Sequence, residues 1–138
     1  MANEATLVYE TELPIPFTVA NATGIEKGAI LKLTDPMTAI INSGAEDAIA
    51  GIAAEEKIAS DGKTTLGVYR RGIFKVTTAA AVTAGNALSI SATVNKVQHA
   101  TKTSVGCKTI GIALETAGGA DETILMELNP GCNNTAYS

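Results

Sequence analysis

The side chains able to do covalent or acid–base chemistry in this 138-residue chain are few: one histidine, two cysteines and a scatter of carboxylates. His99 would have to act as a general base or a ligand, and either role needs an orienting partner. The run Val97-Gln98-His99-Ala100 offers no Ser, Cys or acid at a motif spacing, so His99 reads as an exposed strand residue. Glu55-Glu56 and Glu115 are the residue types that glycoside hydrolysis pairs as acid and nucleophile or base. They recur, however, at matching places in two similar halves of the chain, which points to a structural role at a strand end. Cys107 and Cys132 lack the C-x-x-C spacing of metal or redox sites, and in a reducing compartment they read as idle thiols, with their pairing left open. No phosphate-binding glycine loop occurs. The sequence therefore predicts no catalytic, cofactor-binding or metal-ligating residue, and a protein that is not an enzyme.

Composition narrows the partners. The net charge is -4, and Arg70-Arg71 is the one compact basic pair, which reads as a solvated strand end. Nucleic-acid binding needs clustered cations, so no direct nucleic-acid contact is expected. No run reaches the roughly 18 apolar residues of a membrane span, and the amino terminus lacks a signal-peptide layout, so the expected site of synthesis is a cytoplasm. Asn21-Ala22-Thr23 and Asn133-Asn134-Thr135 fit the glycosylation pattern but read as chance matches in that setting. Hydrophobic residues make up 46% of the chain and aromatics only 4%. The core must then be built of Ala, Val, Ile and Leu, which suits thin strand layers.

The elements that would position such residues come in duplicate. Phe17 and Phe74, Val19 and Val76, Gly28 and Gly85, and Leu31 and Leu88 are each 57 positions apart. Gly51-Ile52-Ala53 returns 60 positions later as Gly111-Ile112-Ala113, and Thr65-Leu66 returns 59 later as Ile124-Leu125. Alternation in 29–33 and 87–90 predicts half-buried strands with Lys32 and Ser89 facing water. Hairpins are expected for 48–56 with 64–71, 108–116 with 122–129, and 87–93 with 96–100. Alanines in 78–84 allow one helical turn. Leu31, Leu33, Ile52, Leu88, Ile90, Ile112 and Leu114 are expected to share one core. Glycine within the strands at 51 and 111 marks a bulge, a close approach or, the favoured reading, a barrel bend.

The expected fold is all-β, a small closed or nearly closed β-barrel built from two duplicated β units, with an extended N-terminal arm. The arm is 1–14, the barrel 15–131 (units 15–72 and 73–131), and 132–138 a flexible tail. Leu7, Val8, Tyr9, Leu13, Pro14, Ile15 and Pro16 combine apolar anchors with prolines that enforce extended backbone. They are the candidate protein-interface residues. The weighed alternative has the arm folded back to cover an edge strand of its own barrel.

The order of Lys27-Gly28-Ala29-Ile30-Leu31, Ala50-Gly51-Ile52-Ala53, Arg71-Gly72-Ile73-Phe74, Ala84-Gly85-Asn86-Ala87-Leu88 and Thr109-Ile110-Gly111-Ile112-Ala113 resembles the capsid decoration, or cement, proteins of tailed bacteriophages. The resemblance covers about 25–130, and the longer arm and tail depart from it. It implies a structural virion protein on the outer capsid surface, often a homotrimer, bridging neighbouring major capsid protein subunits. The alternative is a carbohydrate-binding or adhesin-like β module on a phage or bacterial surface. A sugar platform ordinarily presents aromatic faces, and this chain has no Trp and three Tyr.

Overall fold

The computed structural model describes residues 3–42, 44, 47–100 and 108–131. Cys107, Cys132, Asn133-Asn134-Thr135 and the tail 132–138 lie outside them. Eleven strands run through the described residues: β1 (Thr6–Tyr9), β2 (Ile15–Thr18), β3 (Ile30–Asp35), β4 (Thr38–Ile41), β5 (Ile49–Ala53), β6 (Thr65–Tyr69), β7 (Gly72–Thr78), β8 (Ala87–Ile90), β9 (Lys96–His99), β10 (Thr109–Ala113) and β11 (Thr123–Leu128). No α-helix occurs among these residues.

The all-β expectation holds, and barrel closure happens twice, once in each duplicated unit. Strands β2-β4-β3-β5-β6 close one barrel. Strands β7, β11, β10, β8 and β9 close the other through the additional β7–β9 pairing. The strand orders match element for element. Even the parallel contact recurs, Thr18↔Thr38 in the first barrel and Thr77↔Lys96 with Thr78↔Val97 in the second. Strand β4 falls in a stretch that reads as a variable loop in the sequence; its duplicate β9 lies in an expected hairpin.

A bulge beside a glycine shapes each barrel. Register passes from Leu31↔Gly51 to Lys32↔Ile49, skipping Ala50, and from Leu88↔Gly111 to Ser89↔Thr109, skipping Ile110. The skipped residues are fully buried, Ala50 in the first core and Ile110 in the second. Only glycine fits next in line: a Cβ on Gly51 would stand 2.1 Å from the Tyr69 carbonyl oxygen, and one on Gly111 2.0 Å from that of Glu127. Bulge and close backbone approach thus coincide at these positions.

The bulge also corrects the core assignment, because counting by twos through an extra residue flips every later side chain. Leu31 lies in the first core and Leu88 and Ile90 in the second. Past the bulges, Ala53 and Ala113 point inward. Ile52 leaves its own barrel to join the second cluster, Ile112 is half-buried, and Leu114 is 44% exposed. Leu33 sits near the β3–β4 turn and is 38% exposed. Burial of Leu66 and Val68 matches that of Ile124 and Met126, so the last offset is 58 rather than 59. Ser89, expected in water, is buried, and Lys32 is half-buried beside Asp47 at 3.5 Å. The 78–84 segment forms no helix. Val82 bridges Ala117 there, as Ile25 bridges Lys57 in the first unit, and tertiary burial of Val82 overrides alanine propensity.

The two barrels meet through a polar-centred seam. The Ile30 amide donates to Asn95 Oδ1 at 2.9 Å, and Asn42 Nδ2 donates to the Ser91 carbonyl at 3.3 Å. Asn42, Ser91 and Asn95 are all buried, and Ile30, Ile49 and Ile52 from the first barrel pack into the second barrel's cluster around them. Buried amides and carbonyls tolerate this only because they are paired.

The extended N-terminal arm is not seen as a free arm; the described residues follow the weighed alternative, in which the segment covers an edge strand. Residues 6–9 form β1, antiparallel to β7 with Thr6↔Lys75 and Leu7↔Phe74, then a register shift to Tyr9↔Ile73. The reason is an edge. Strand β9 covers β7 only at Thr77 and Thr78, leaving the polar backbone of Ile73 to Lys75 to be paired on that side. The matching stretch of β2 carries Pro16, which lacks an amide hydrogen.

Truncation separates core from surface. Leu88→Ala should cost roughly 2–5 kcal/mol as a buried aliphatic. Leu114→Ala should stay within about 0.5 kcal/mol. Urea unfolding of the two variants beside wild type measures both, and equal losses would contradict the strand phase described here.

Candidate interaction surface

Among the described residues, His99, Glu115 and Arg70 each make a structural contact. His99 is exposed at the end of β9, with its Nδ1 2.6 Å from Asn86 Nδ2. Glu115 Oε1 accepts from the Leu125 amide at 2.8 Å, holding the start of the β10–β11 connection against β11, while Glu55 and Glu56 are exposed. Arg70 is not a solvated strand end: its Nη1 donates to the carbonyls of Ile49 (3.0 Å) and Ala50 (2.8 Å), beside the first bulge. Burial, and then the charge of Arg71, push the Arg70 guanidinium below its ordinary value. No group of three or more His, Cys, Asp or Glu able to hold a metal occurs among the described residues. No helix there is long and apolar enough to cross a membrane.

The candidate interface residues are split by the fold into anchors and a ridge. Leu7 packs half-buried on the second core, and Pro14 lies over Gly67. Ala5 is buried, its amide donating to the Gly28 carbonyl at 2.8 Å. Gly28 has φ +89, and a Cβ there would stand 2.2 Å from the Ala5 carbonyl oxygen, so the segment seats on bare backbone. Tyr69 Oη donates to a Glu10 carboxylate oxygen at 2.8 Å, which holds the phenol above its ordinary value, and its ring meets Phe74 edge-on at 5.6 Å. Beneath the segment lies a cleft of about 630 Å³ lined by Glu4, Leu7, Lys27, Tyr69 and Phe74 among others. Outward stand Val8, Tyr9 (64% exposed), Leu13 (76% exposed), Ile15 and Pro16. These exposed apolar side chains belong to β1, to β2 and to the segment between them.

Lys57 is the residue that sequence reasoning missed. Its side chain is fully buried, with Nζ donating to the Asn21 carbonyl (2.6 Å) and the Ile58 carbonyl (3.2 Å) and lying 3.3 Å from Asp61 Oδ1. Asn21 Oδ1 in turn accepts from the Gly62 amide at 2.6 Å, so Asn21 is part of a loop lock. The bridge partner of Val82 in the second unit is Ala117, which has no counterpart to this ammonium. That difference between duplicates was the available signal.

The family model for phage cement proteins matches residues 9–128. No curated protein matches the chain. Among solved structures, head fiber gp8.5 N base in bacteriophage phi29 is similar over 90% of this chain and 98% of that one, at 12% identity and TM-score 0.56. At that identity the likeness speaks for the fold.

The Lys57 lock predicts a pH dependence. Amide hydrogens, first that of Lys63, together with the Lys57 ammonium hold the Asp61 carboxyl below the usual carboxylate range. A carboxyl lowered on folding contributes stability above its unfolded value and loses it as pH falls through the folded one. The melting temperature of wild type should therefore exceed that of Asp61→Asn near neutral pH, with the gap closing as pH drops below about 4. A constant gap down to about pH 2 would contradict the lock.

Proposed function

Since the chain belongs to the phage cement protein family, whose match spans both barrels, we propose that it binds the outer surface of an assembled phage capsid and bridges neighbouring major capsid protein subunits. The family match carries this reading. A capsid-associated structural role in the virion follows from membership; the outer face, the bridging and a homotrimeric working form are the finer parts of the proposal. The molecule would be made in the host cytoplasm and act without cofactor or turnover. Its capsid contact is the amino-terminal ridge: Val8, Tyr9, Leu13 and Ile15 supply exposed apolar area, Leu7 anchors the segment, and Pro14 and Pro16 keep it extended. Proline and strand pairing both reduce the entropy lost on docking. A ligand that binds only the assembled lattice stabilises it by RT ln(1 + [L]/Kd), roughly 4 kcal/mol per site at a thousandfold excess over Kd.

Co-sedimentation with mature heads that lack the protein tests the reading. Wild type should pellet with heads. The double variant Tyr9→Ala, Leu13→Ala should keep its melting temperature yet bind about thirtyfold more weakly, as when an aromatic hot spot is truncated. Wild type remaining in the supernatant would overturn the capsid role, and undiminished binding of the variant would remove the ridge from it.

A further inference from the structure

The duplication supplies an internal control for which surfaces ought to be covered. Within the chain, the β8–β9 turn end of the second barrel meets the first: buried Asn95 accepts from the Ile30 amide, Ile90 is buried in the cluster that Ile30, Ile49 and Ile52 join, and Ile52 is fully buried on the receiving side. Each of these positions has a duplicate on the other barrel. The pairing Ile90↔Val97 corresponds to Leu33↔Ala39, and the turn residue Asn95 (φ 66) corresponds to Met37 (φ 49). Yet Leu33 and Met37 are 38% and 51% exposed. On the receiving side, Ile112 corresponds to Ile52 but is only half-buried, and Leu114 just beyond it is 44% exposed.

Both halves of the internal contact thus have open counterparts, and both are apolar. Met37 is notable because a positive φ costs a non-glycine residue roughly 1–2 kcal/mol, which Asn tolerates far better. A solvated turn with that geometry has no use for methionine, whereas a flexible thioether fits an apolar seat.

We infer that copies of this chain associate head to tail, the β3–β4 turn end of one (Leu33, Met37) seating on the β10 flank of the next (Ile112, Leu114), so that the contact between barrels within a chain is repeated between chains. A heterologous contact of this kind closes into a ring when its rotation permits. The surface differs from the amino-terminal ridge, and the association needs no capsid.

Sedimentation equilibrium of the purified full chain tests this without heads. Wild type should form a defined oligomer at high micromolar concentration, and L33E/M37E and L114E should each be monomeric with unchanged circular dichroism. Each variant keeps one intact half of the contact, so an equimolar mixture should form a species of two chains. A monomeric wild type, variants that still assemble, or a mixture that stays monomeric would each overturn the proposal. A failed test here with heads still bound, or the converse, tells this inference apart from the capsid role.

Discussion

The hydrogen bond from the Ile30 amide to Asn95 Oδ1 ties together two barrels that would otherwise be separate small folds. It lies among Ile30, Ile49 and Ile52, so the donor and acceptor are cut off from water and each would carry a full desolvation cost without the other. The aliphatic side chains supply most of the attraction, and the amide–carbonyl pairs at Asn95, Asn42 and Ser91 set its register. Once the second barrel is locked there, β7 is held with part of its edge open beside the first barrel, and the amino-terminal segment is drawn across both. The segment seats Ala5 on Gly28 in the first barrel and pairs β1 with β7 in the second, so it touches both units that the seam joins.

Small barrels with few aromatics have little volume to fill, and the way this chain fills it explains its glycines. Bulges turn Ala50 and Ile110 inward, and the glycines beside them let the neighbouring strand approach to a distance no side chain allows. Two modest cores joined by a shared cluster bury more apolar surface than either would alone. That suits the capsid-associated structural role of the family.

The division of labour over the surface follows from the same asymmetry. The first barrel gives its flank to the second and keeps its β3–β4 turn end exposed; the second gives its turn end and keeps the β10 flank half-open. The amino-terminal ridge stands apart from both.

The sequence by itself determined the all-β class, the duplication and the position of nearly every hairpin. Offsets of 57 to 60 residues between the duplicates, and turn glycines, are local properties that survive any packing. The likeness of Gly28 to Gly85 and of Gly51 to Gly111 was legible for that reason. Tertiary structure alone decided the rest. That each unit closes on itself depends on β7–β9 and β2–β4 contacts between residues far apart in the chain. The inward turn of Ala53 rather than Ile52 depends on a bulge that periodicity cannot see. Arg70 read as a solvated cation and Lys57 drew no reading at all, because composition cannot tell which carbonyls a bulge or loop will leave unpaired. The amino-terminal segment carried the pattern of an arm and became a strand, because β9 reaches β7 only at Thr77 and Thr78 and leaves the edge at Ile73 to Lys75 to be paired.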